Sequence, residues 1–160
     1  MSAILSLDLA TQTGWAYHAN GLISSGSVGF QLKKSKKHTD GPGVRFLNFR
    51  TWLRTQIEEV KPKRVVYEEV MRWSSGASAK CYCGLLAIMQ AECESKEIAY
   101  TGVSVGTIKK FATGKGDASK DMMVDAAFGL GFKPTDDNES DSIHLLLFYL
   151  HKSGKPFTPL

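Results

Sequence analysis

The sequence predicts an α/β domain with a central mixed five-stranded sheet, its first three strands antiparallel, flanked by helices. Three observations lead to this prediction. An almost wholly apolar run at 3–9 opens the chain as a buried strand. Two further strand patterns follow at 13–17 and 21–30, with Asn20-Gly21 as a tight hairpin turn between them. From residue 46 onward helical and strand periodicities alternate, which is typical of helices packed on a sheet.

The remaining elements follow in the order helix, strand, helix, strand and three helices. Residues 31–43 are polar and basic and are expected to form an exposed, mobile loop. A second polar loop is expected at 74–78, and Lys61-Pro62 ends the first helix. The predicted helices are 46–60, 79–95, 107–113, 120–130 and 141–151, and the last two strands are 64–67 and 98–102. We expect one domain over residues 1–152 and a fraying C-terminal tail over 153–160.

Length, charge and cysteine content narrow the class of protein. A chain of 160 residues suits one domain that buries a core without disulfides or a structural metal. The net charge of +4 slightly favours a polyanionic partner such as nucleic acid. The three cysteines are odd in number, and the sequence has neither a signal-peptide layout nor a run of ~20 apolar residues. We therefore expect a cytoplasmic protein without a membrane span.

Carboxylates stand on the first and fourth predicted strands and on the last helix. Asp8 lies among Ile and Leu, where a carboxylate is costly to bury unless it is paired or bound to a metal. Glu68 and Glu69 alternate faces of their strand, so only one can point with Asp8, and position favours Glu68. Asp141 lies on the last helix. If Asp8, Glu68 and Asp141 converge, their oxygens suit Mg²⁺ or Mn²⁺, and two such ions would support phosphodiester hydrolysis.

A further metal ligand beside Asp141 has two candidates. Asp137 and Asn138 lie at i−4 and i−3 on the same helical face, but either residue type is also a common helix N-cap. Glu139 lies at i−2, points away and is expected to be solvated. The candidate metal ligands are therefore Asp8, Glu68 and Asp141 with either Asp137 or Asn138.

Two lysine-rich segments are candidates for phosphate binding. Residues 107–121 combine a short basic helix, the turn Gly114-Lys115-Gly116 and a second helix start. Glycines let backbone N–H groups approach a phosphate, and lysines neutralise it. The alternative is an ordinary helix connection with solvated lysines. The candidate DNA-binding lysines are Lys109, Lys110, Lys115 and Lys120 here and Lys33, Lys34, Lys36 and Lys37 in the 31–43 loop.

Four motifs, in order along the chain, resemble the RuvC family of Holliday-junction resolvases, which have an RNase H-like fold. Ile4-Leu5-Ser6-Leu7-Asp8 followed by Thr13-Gly14-Trp15 resembles the opening strand and turn of the family. Val65-Val66-Tyr67-Glu68-Glu69-Val70 resembles the strand that carries the second acid. The segment from Ile108-Lys109-Lys110 through Gly114 and Gly116 to Lys120, and the stretch Asn138-Glu139-Ser140-Asp141-Ser142-Ile143, resemble the other two.

This resemblance implies a crossover junction endodeoxyribonuclease. Such an enzyme acts as a homodimer, uses no nucleotide cofactor and nicks two strands of a four-way DNA junction symmetrically. The resemblance implies two Mg²⁺ (or Mn²⁺) ions held by Asp8, Glu68 and Asp141. It also implies that Lys109 and Lys120 meet the scissile or neighbouring phosphates, so Lys120 joins the catalytic set.

The sequence departs from the bacterial pattern at two places. The last helix of bacterial members carries Asp-x-x-Asp, whereas Asn138 stands at the first of those positions here, so Asp137 is the candidate for the missing carboxylate. Leu9-Ala10 stands where Pro-Gly is common, which favours a phage or plasmid relative. For a phage protein, the expected compartment is the cytoplasm of the bacterial host.

Residues 71–73 follow the second acid, where the family places an aromatic or apolar residue near the centre of the junction. Met71 or Trp73 could wedge between base pairs beside Arg72, and the alternative is that Trp73 packs on the following helix. Elsewhere, Cys81, Cys83 and Cys93 are expected to be buried thiols rather than zinc ligands, because Cys81 and Cys83 face different sides of a helix. His144 is expected to pack between helices rather than to assist a proton transfer.

Three other functions compete with junction resolution. An RNase H-like nuclease for flapped or branched DNA or for RNA–DNA hybrids would share the fold and the acids. A catalytically silent junction-binding protein is favoured only if Asn138 reflects a lost metal site. Actin-like phosphotransferases also carry an Asp followed by Gly and Thr after the first strand, but they need a second domain that 160 residues cannot provide.

Overall fold

A computed structural model describes residues 2–156 and 158–159 and begins with an antiparallel meander. Its strands are β1 (Ile4–Asp8), β2 (Gln12–Ala19) and β3 (Leu22–Gly29). Asn20 and Gly21 have φ of 53° and 82°, as the tight turn between two twisted antiparallel strands requires. The predicted antiparallel opening and hairpin turn are therefore confirmed.

The rest of the chain adds two parallel strands and five helices to this meander. β4 pairs with β1, and β5 pairs with β4, so the sheet order β5-β4-β1-β2-β3 puts β1 at the centre of a mixed five-stranded sheet. This α/β architecture confirms the prediction. The elements are α1 (Gly43–Val60), β4 (Arg64–Glu69), α2 (Gly76–Ser95), β5 (Ala99–Ser104), α3 (Val105–Thr113), α4 (Lys120–Gly129) and α5 (Asp137–Lys152).

Helices cover both faces of the sheet and form two cores. Leu5 and Leu7 of β1 face the core that includes Phe49 of α1 and Leu85 of α2, whereas Ile4 faces the core that includes Leu146 of α5. This alternation along β1 follows from the period of two in a strand. Ser6 and Asp8 therefore share the face of Ile4, which is the face that α5 covers.

Four of the five helices begin earlier than the sequence suggested, and the N-caps of α2 and α5 explain two of these differences. α2 starts at Gly76 because Ser75 is its N-cap and accepts a hydrogen bond from Ser78 N, so the expected 74–78 loop is shorter. α5 starts at Asp137 rather than at Asp141. Its N-cap is Asp136, whose carboxylate accepts from Glu139 N at 2.8 Å, so the alternative role of Asp137 or Asn138 as the cap of this helix is not realised.

The 31–43 segment and the C-terminal residues contain short strand pairings that the sequence did not predict. The 31–43 segment is exposed as expected, but it contains a small bridge between Lys34 and Thr39. In the expected tail, Thr158–Pro159 forms a sixth, two-residue strand, β6, parallel to β3, while residues 1, 157 and 160 lie outside the described residues. None of the helices in the described ranges is long and apolar enough to span a bilayer.

Candidate active site

Asp8 and Glu68 lie on neighbouring strands and point to the same face of the sheet. β1 and β4 run parallel with Leu7 opposite Tyr67, so the next residue of each strand is an acid at the same level. Val66 of β4 belongs to the core beneath α5, and Glu68 follows it by two residues, so it faces the same way. Glu69 is exposed. The parallel register thus brings Asp8 and Glu68 together and leaves Glu69 out.

Helix α5 brings Asp141 over these two strands. Ser6 donates a hydrogen bond from its Oγ to the carbonyl oxygen of Ser142, with 2.6 Å between the atoms, in a buried position. At Gly14, which pairs with Asp8 across the sheet, a Cβ would overlap the backbone carbonyl of Asn138. A serine within an apolar strand and a glycine opposite the acid therefore let α5 rest directly on the sheet.

Burial and neighbouring carboxylates raise the pKa values of all three acids. Asp8 is 8% exposed, and its burial, followed by the charges of Glu68 and Asp141, raises its pKa well above the ordinary range. Burial and the charge of Asp141 raise the pKa of Glu68 to about 7. Burial and the charge of Asp137 raise the pKa of Asp141 to about 6. A cation bound at such buried, closely spaced acids would stabilise their charged forms.

Lysines 109 and 120 bring positive charge to this cluster. Lys109 on α3 lowers the pKa values of both Glu68 and Asp141 through its charge. Lys120, at the first position of α4, lies 2.5 Å from Asp137 Oδ2 through its Nζ atom, and its ammonium also opposes the pKa rise of Asp8. The ion pair raises the pKa of Lys120 and lowers that of Asp137. Asp137, a candidate metal ligand, thus holds a lysine at the edge of the cluster.

The packing of α4 against α5 sets the place of Lys120. The carbonyl of Met123 on α4 accepts hydrogen bonds from Ser140 Oγ at 3.1 Å and from His144 Nε2 at 2.8 Å. His144 is fully buried, and burial lowers its pKa, so it is a neutral helix-packing residue as the sequence suggested. This hydrogen bond joins His144 to α4 and not to the acids, so His144 affects the cluster by holding α4 in position.

The prediction for Glu139 is wrong, because this side chain is buried. It was expected to be solvated, yet it is 5% exposed and accepts hydrogen bonds from Ser25 Oγ, Thr135 N and Thr135 Oγ1 at 2.7–2.8 Å. The helical face that turns away from Asp141 does not meet solvent, because α5 also packs against β3. Ser24 and Ser25 in β3 were the available sequence signal for a buried polar partner.

The other candidate DNA-binding residues lie on the surface of the protein. Met71 is 75% exposed and Trp73 is 41% exposed. The Trp73 ring lies 6.0 Å from the ring of Tyr82 on α2, so the alternative of packing on the following helix is realised while much of the indole stays accessible. The remaining exposed candidates are Arg72, Lys110, Lys115, Lys33, Lys34, Lys36 and Lys37, and Asn138 is partly exposed.

The cysteines differ from expectation in one respect. Cys93 is buried and Cys81 is half-buried, but Cys83 is exposed, so the expectation of three buried thiols is wrong for Cys83. Two residues apart on a helix, Cys81 and Cys83 face different sides, and α2 is buried on one side only.

The donor set around Asp8 fits a hard divalent cation by its chemistry. Asp8, Glu68 and Asp141 offer carboxylate oxygens alone, which Mg²⁺ and Mn²⁺ prefer. Burial and neighbouring negative charge raise their pKa values, and a bound cation would offset both effects. Within the described ranges, no three His, Cys, Asp or Glu side chains stand close enough to form a finished coordination shell. The acids therefore form a site that an ion would draw together.

Comparisons with known proteins place this arrangement in a recognised fold. No protein-family model and no curated protein sequence matches the chain. Among solved structures, the chain is similar to Thermus thermophilus RuvC in complex with a Holliday junction substrate, with a TM-score of 0.75 and 16% identity over 96% of this chain and 97% of that one. A further Thermus thermophilus RuvC structure gives a TM-score of 0.70 at 16% identity, with the same coverage of both chains.

The yeast mitochondrial Holliday junction resolvase Ydc2 is also similar. Its TM-score is 0.65 at 12% identity, over 91% of this chain and 76% of that one. At such low identities the likeness establishes the fold, which is that of the RuvC resolvases. The fold expected from the four sequence motifs is therefore confirmed.

Proposed function

We propose that this chain is a metal-dependent endonuclease that resolves four-way DNA junctions. The observation that carries the proposal is the convergence of Asp8, Glu68 and Asp141, from two parallel strands and one helix, into a partly buried cluster beside Lys109 and Lys120. The RuvC fold over nearly the whole chain supports it. An RNase H-like nuclease for other branched or hybrid substrates shares these features and is separated from it by experiment.

The residues divide the task between holding cations and holding DNA. Asp8, Glu68 and Asp141 are the proposed ligands of two Mg²⁺ or Mn²⁺ ions, with Asp137 or Asn138 as a fourth. Bound ions would supply an activated water and stabilise the charge that develops on the phosphate and its leaving oxygen. Packing of β1, β4 and α5 keeps the three carboxylates in one region of the fold, and bound ions would draw them together.

Lysines and the surface near the β4–α2 connection would bind the DNA. Lys109 and Lys120 stand beside the acids and would neutralise the scissile or neighbouring phosphates. Lys110 and Lys115, and the 31–43 segment with its exposed lysines, would extend this contact along the backbone. Met71, Arg72 and Trp73 would meet the unpaired centre of the junction.

Paired nicks require two active sites, so the proposal includes a homodimer. A junction has two equivalent strands to cut, and a two-fold pair of protomers presents one site to each. Size-exclusion chromatography with light scattering, with and without junction DNA, tests this part. The proposed lineage is a phage or plasmid relative, and the proposed place of action is the bacterial cytoplasm.

A cleavage assay on matched substrates tests the function. Four-way junction, flap, duplex and RNA–DNA hybrid share the same arm sequences, and the reaction is started with Mg²⁺. Asp8→Asn is the catalytic control: it should abolish cleavage while junction binding survives, because the lysine contacts remain.

The outcomes separate the alternatives. Symmetric nicks confined to the junction support a resolvase, whereas cleavage of the hybrid or flap transfers the same site to another substrate. Tight junction binding without cleavage in any divalent ion would favour a silent binding protein. Loss of binding together with cleavage in Asp8→Asn would contradict the division of roles.

A further inference from the structure

A cavity of about 390 Å³ lies between the last three helices of the chain. Phe111 of α3, Ala126 of α4 and Leu147 of α5 are among the residues that line its walls, and none of the three clustered acids is. Pockets for drug-sized ligands measure about 300–1,000 Å³, so this cavity has room for a small molecule.

The cavity has a buried floor and an exposed aromatic mouth. His144 is fully buried and therefore belongs to the floor, whereas Phe111 and Leu130 are 39% and 52% exposed and belong to the mouth. The centre of the Phe111 ring lies 5.5 Å from that of the His151 ring, with 42° between the ring planes. No Asp, Glu, Lys or Arg side chain of the described residues lines the cavity, so it favours an uncharged aromatic ligand.

The tautomer of His144 follows from its hydrogen bond to α4. Its Nε2 atom lies 2.8 Å from the carbonyl oxygen of Met123, and a carbonyl can only accept, so Nε2 carries a proton and donates. Burial lowers the pKa of the ring, which is therefore neutral, and Nδ1 is left as an acceptor. This buried Nδ1 has no hydrogen-bond partner among the described residues. A buried acceptor without a partner is costly, and a donor on a ligand would remove that cost.

We propose that this cavity binds a small planar aromatic molecule that donates an N–H or O–H group to Nδ1 of His144. The apolar walls would bury the ring of the ligand, and Phe111 and His151 would contact it at the mouth. Because the acceptor lies at the floor, the ligand has to enter the cavity rather than lie across its opening. The inference does not depend on the proposed nuclease function, since the site and the acid cluster share no residue.

Indole and benzofuran are matched probes of the free acceptor. Both have the same pair of fused rings, but benzofuran carries an oxygen where indole carries an N–H. Indole can donate to Nδ1, whereas benzofuran would leave the buried acceptor unpaired. We expect indole to bind the wild-type protein roughly tenfold more tightly, which is the size of one such hydrogen bond. Isothermal titration calorimetry without DNA measures both affinities.

NMR of isotope-labelled histidine rings shows where indole binds. His18 is an internal control, because it is also fully buried and its Nδ1 also lacks a partner among the described residues. It lies on β2, with its Nε2 atom 3.2 Å from the carbonyl oxygen of Pro156, and it does not line the cavity. Indole should shift the Nδ1 resonance of His144 and leave that of His18 unchanged.

A substitution that fills the cavity is the second test. Ala126→Leu adds a larger side chain to the wall and should weaken indole binding at least about tenfold, because the ligand and the new side chain compete for one space. Ala91→Leu, at an exposed position of α2, is the matched control and should bind indole like wild type. Thermal unfolding shows whether both variants are folded.

Four results would overturn the proposal. They are no binding of indole to wild type, equal affinity for indole and benzofuran, no shift of His144 Nδ1 when indole is bound, and undiminished indole binding by folded Ala126→Leu. The first three use the wild-type protein, so the proposal stays testable even if Ala126→Leu does not fold. None of these measurements involves DNA, so failure of the ligand site and failure of the nuclease proposal are observed separately.

Discussion

Lys120 of α4 and Asp137 of α5 form an ion pair at the edge of the acid cluster, with 2.5 Å between Nζ and Oδ2. The Lys120 side chain is 82% exposed, so the pair contributes little to folding stability, about 1 kcal/mol or less. The pair matters because each partner has a second possible ligand. A DNA phosphate would compete with Asp137 for Lys120, and a metal ion would compete with Lys120 for Asp137.

The first prediction concerns this competition. Asp137→Asn should raise junction affinity in the absence of divalent ions by up to about tenfold, because it frees an ammonium for a phosphate. Fluorescence anisotropy over a range of salt concentrations measures the effect. In the double variant with Lys120→Ala the gain should vanish. A gain that persists without Lys120 would show general relief of repulsion instead of release of this lysine.

The same variant tests the fourth ligand. If Asp137 binds a metal ion, Asp137→Asn raises the Mg²⁺ concentration for half-maximal cleavage, whereas Asn138→Ala leaves it unchanged. The reverse pattern assigns the role to Asn138. Isothermal titration calorimetry with Mn²⁺ in the absence of DNA measures the metal affinity of each variant without depending on turnover.

Replacement of Gly14 should displace the acidic helix. A Cβ at Gly14 would overlap the carbonyl of Asn138, so Gly14→Ala must push the start of α5 away from β2. We expect a loss of about 1–3 kcal/mol in the free energy of unfolding, typical of overpacking. Cleavage should fall roughly 100-fold, because Asp141 moves relative to Asp8. Urea denaturation and the cleavage assay measure these, and Gly41→Ala, with open space around it, is the matched control.

Glu139 should be a stability residue with no part in metal binding. Glu139→Ala leaves the donors of Ser25 and Thr135 without their shared acceptor in a buried place, at a cost of about 2–3 kcal/mol. Glu139→Gln keeps an acceptor and should cost less. Thermal and urea unfolding measure the difference against the exposed control Glu58→Ala. If Glu139→Ala is destabilised no more than Glu58→Ala, Glu139 does not have this stabilising role.

Without divalent ions, the acid cluster should make the protein less stable as pH rises. Burial and Asp141 raise the pKa of Glu68 from its ordinary 4.5 to about 7, so the folded state binds this proton more tightly than the unfolded state. The protonated Glu68 therefore contributes fully to the free energy of unfolding below its pKa in the unfolded state. This contribution is lost as the pH rises through its pKa in the folded state. The slope is at most about 1.4 kcal/mol per pH unit for one proton.

A comparison with Glu68→Gln isolates this effect, because glutamine does not titrate. The stability of wild type relative to Glu68→Gln should fall between about pH 5 and about pH 7.5 in urea unfolding with a chelator present. Mg²⁺ should reverse much of the loss at the higher pH. A difference that stays constant over this window would mean that Glu68 is not the destabilised acid.

The exposed lysines of the 31–43 segment should set part of the salt dependence of DNA binding. Each lysine that neutralises a phosphate contributes about 0.9 to the slope of log affinity against log salt concentration. Changing Lys33, Lys34, Lys36 and Lys37 to glutamine should therefore flatten that slope and leave thermal stability nearly unchanged. The control is Lys63→Gln with Lys96→Gln, two exposed lysines that lie before β4 and β5. An equal change of slope per lysine in this control would mean a nonspecific effect of charge.

The sequence by itself determined the order of the elements and the faces of the two strand acids. A strand alternates with period two, so Ile4, Ser6 and Asp8 had to share one face, and only one of Glu68 and Glu69 could join them. The Asn20-Gly21 turn and the alternation of helices and strands after it then left few topologies, and the RuvC-like motifs matched one of them. The face of a strand residue and the position of a turn depend on neighbouring residues in the chain, so a periodic sequence pattern predicts them directly.

Only the tertiary structure decided what surrounds those acids. The burial of Glu139, the close approach of Asn138 to Gly14, the ion pair between Lys120 and Asp137 and the cavity between Phe111 and His144 join residues of different elements. Such contacts depend on how one element packs on another, and a change of helix position by one turn would exchange the partners. The pattern along a single helix could show that Glu139 points away from Asp141, but it could not show that β3 lies there to bury it.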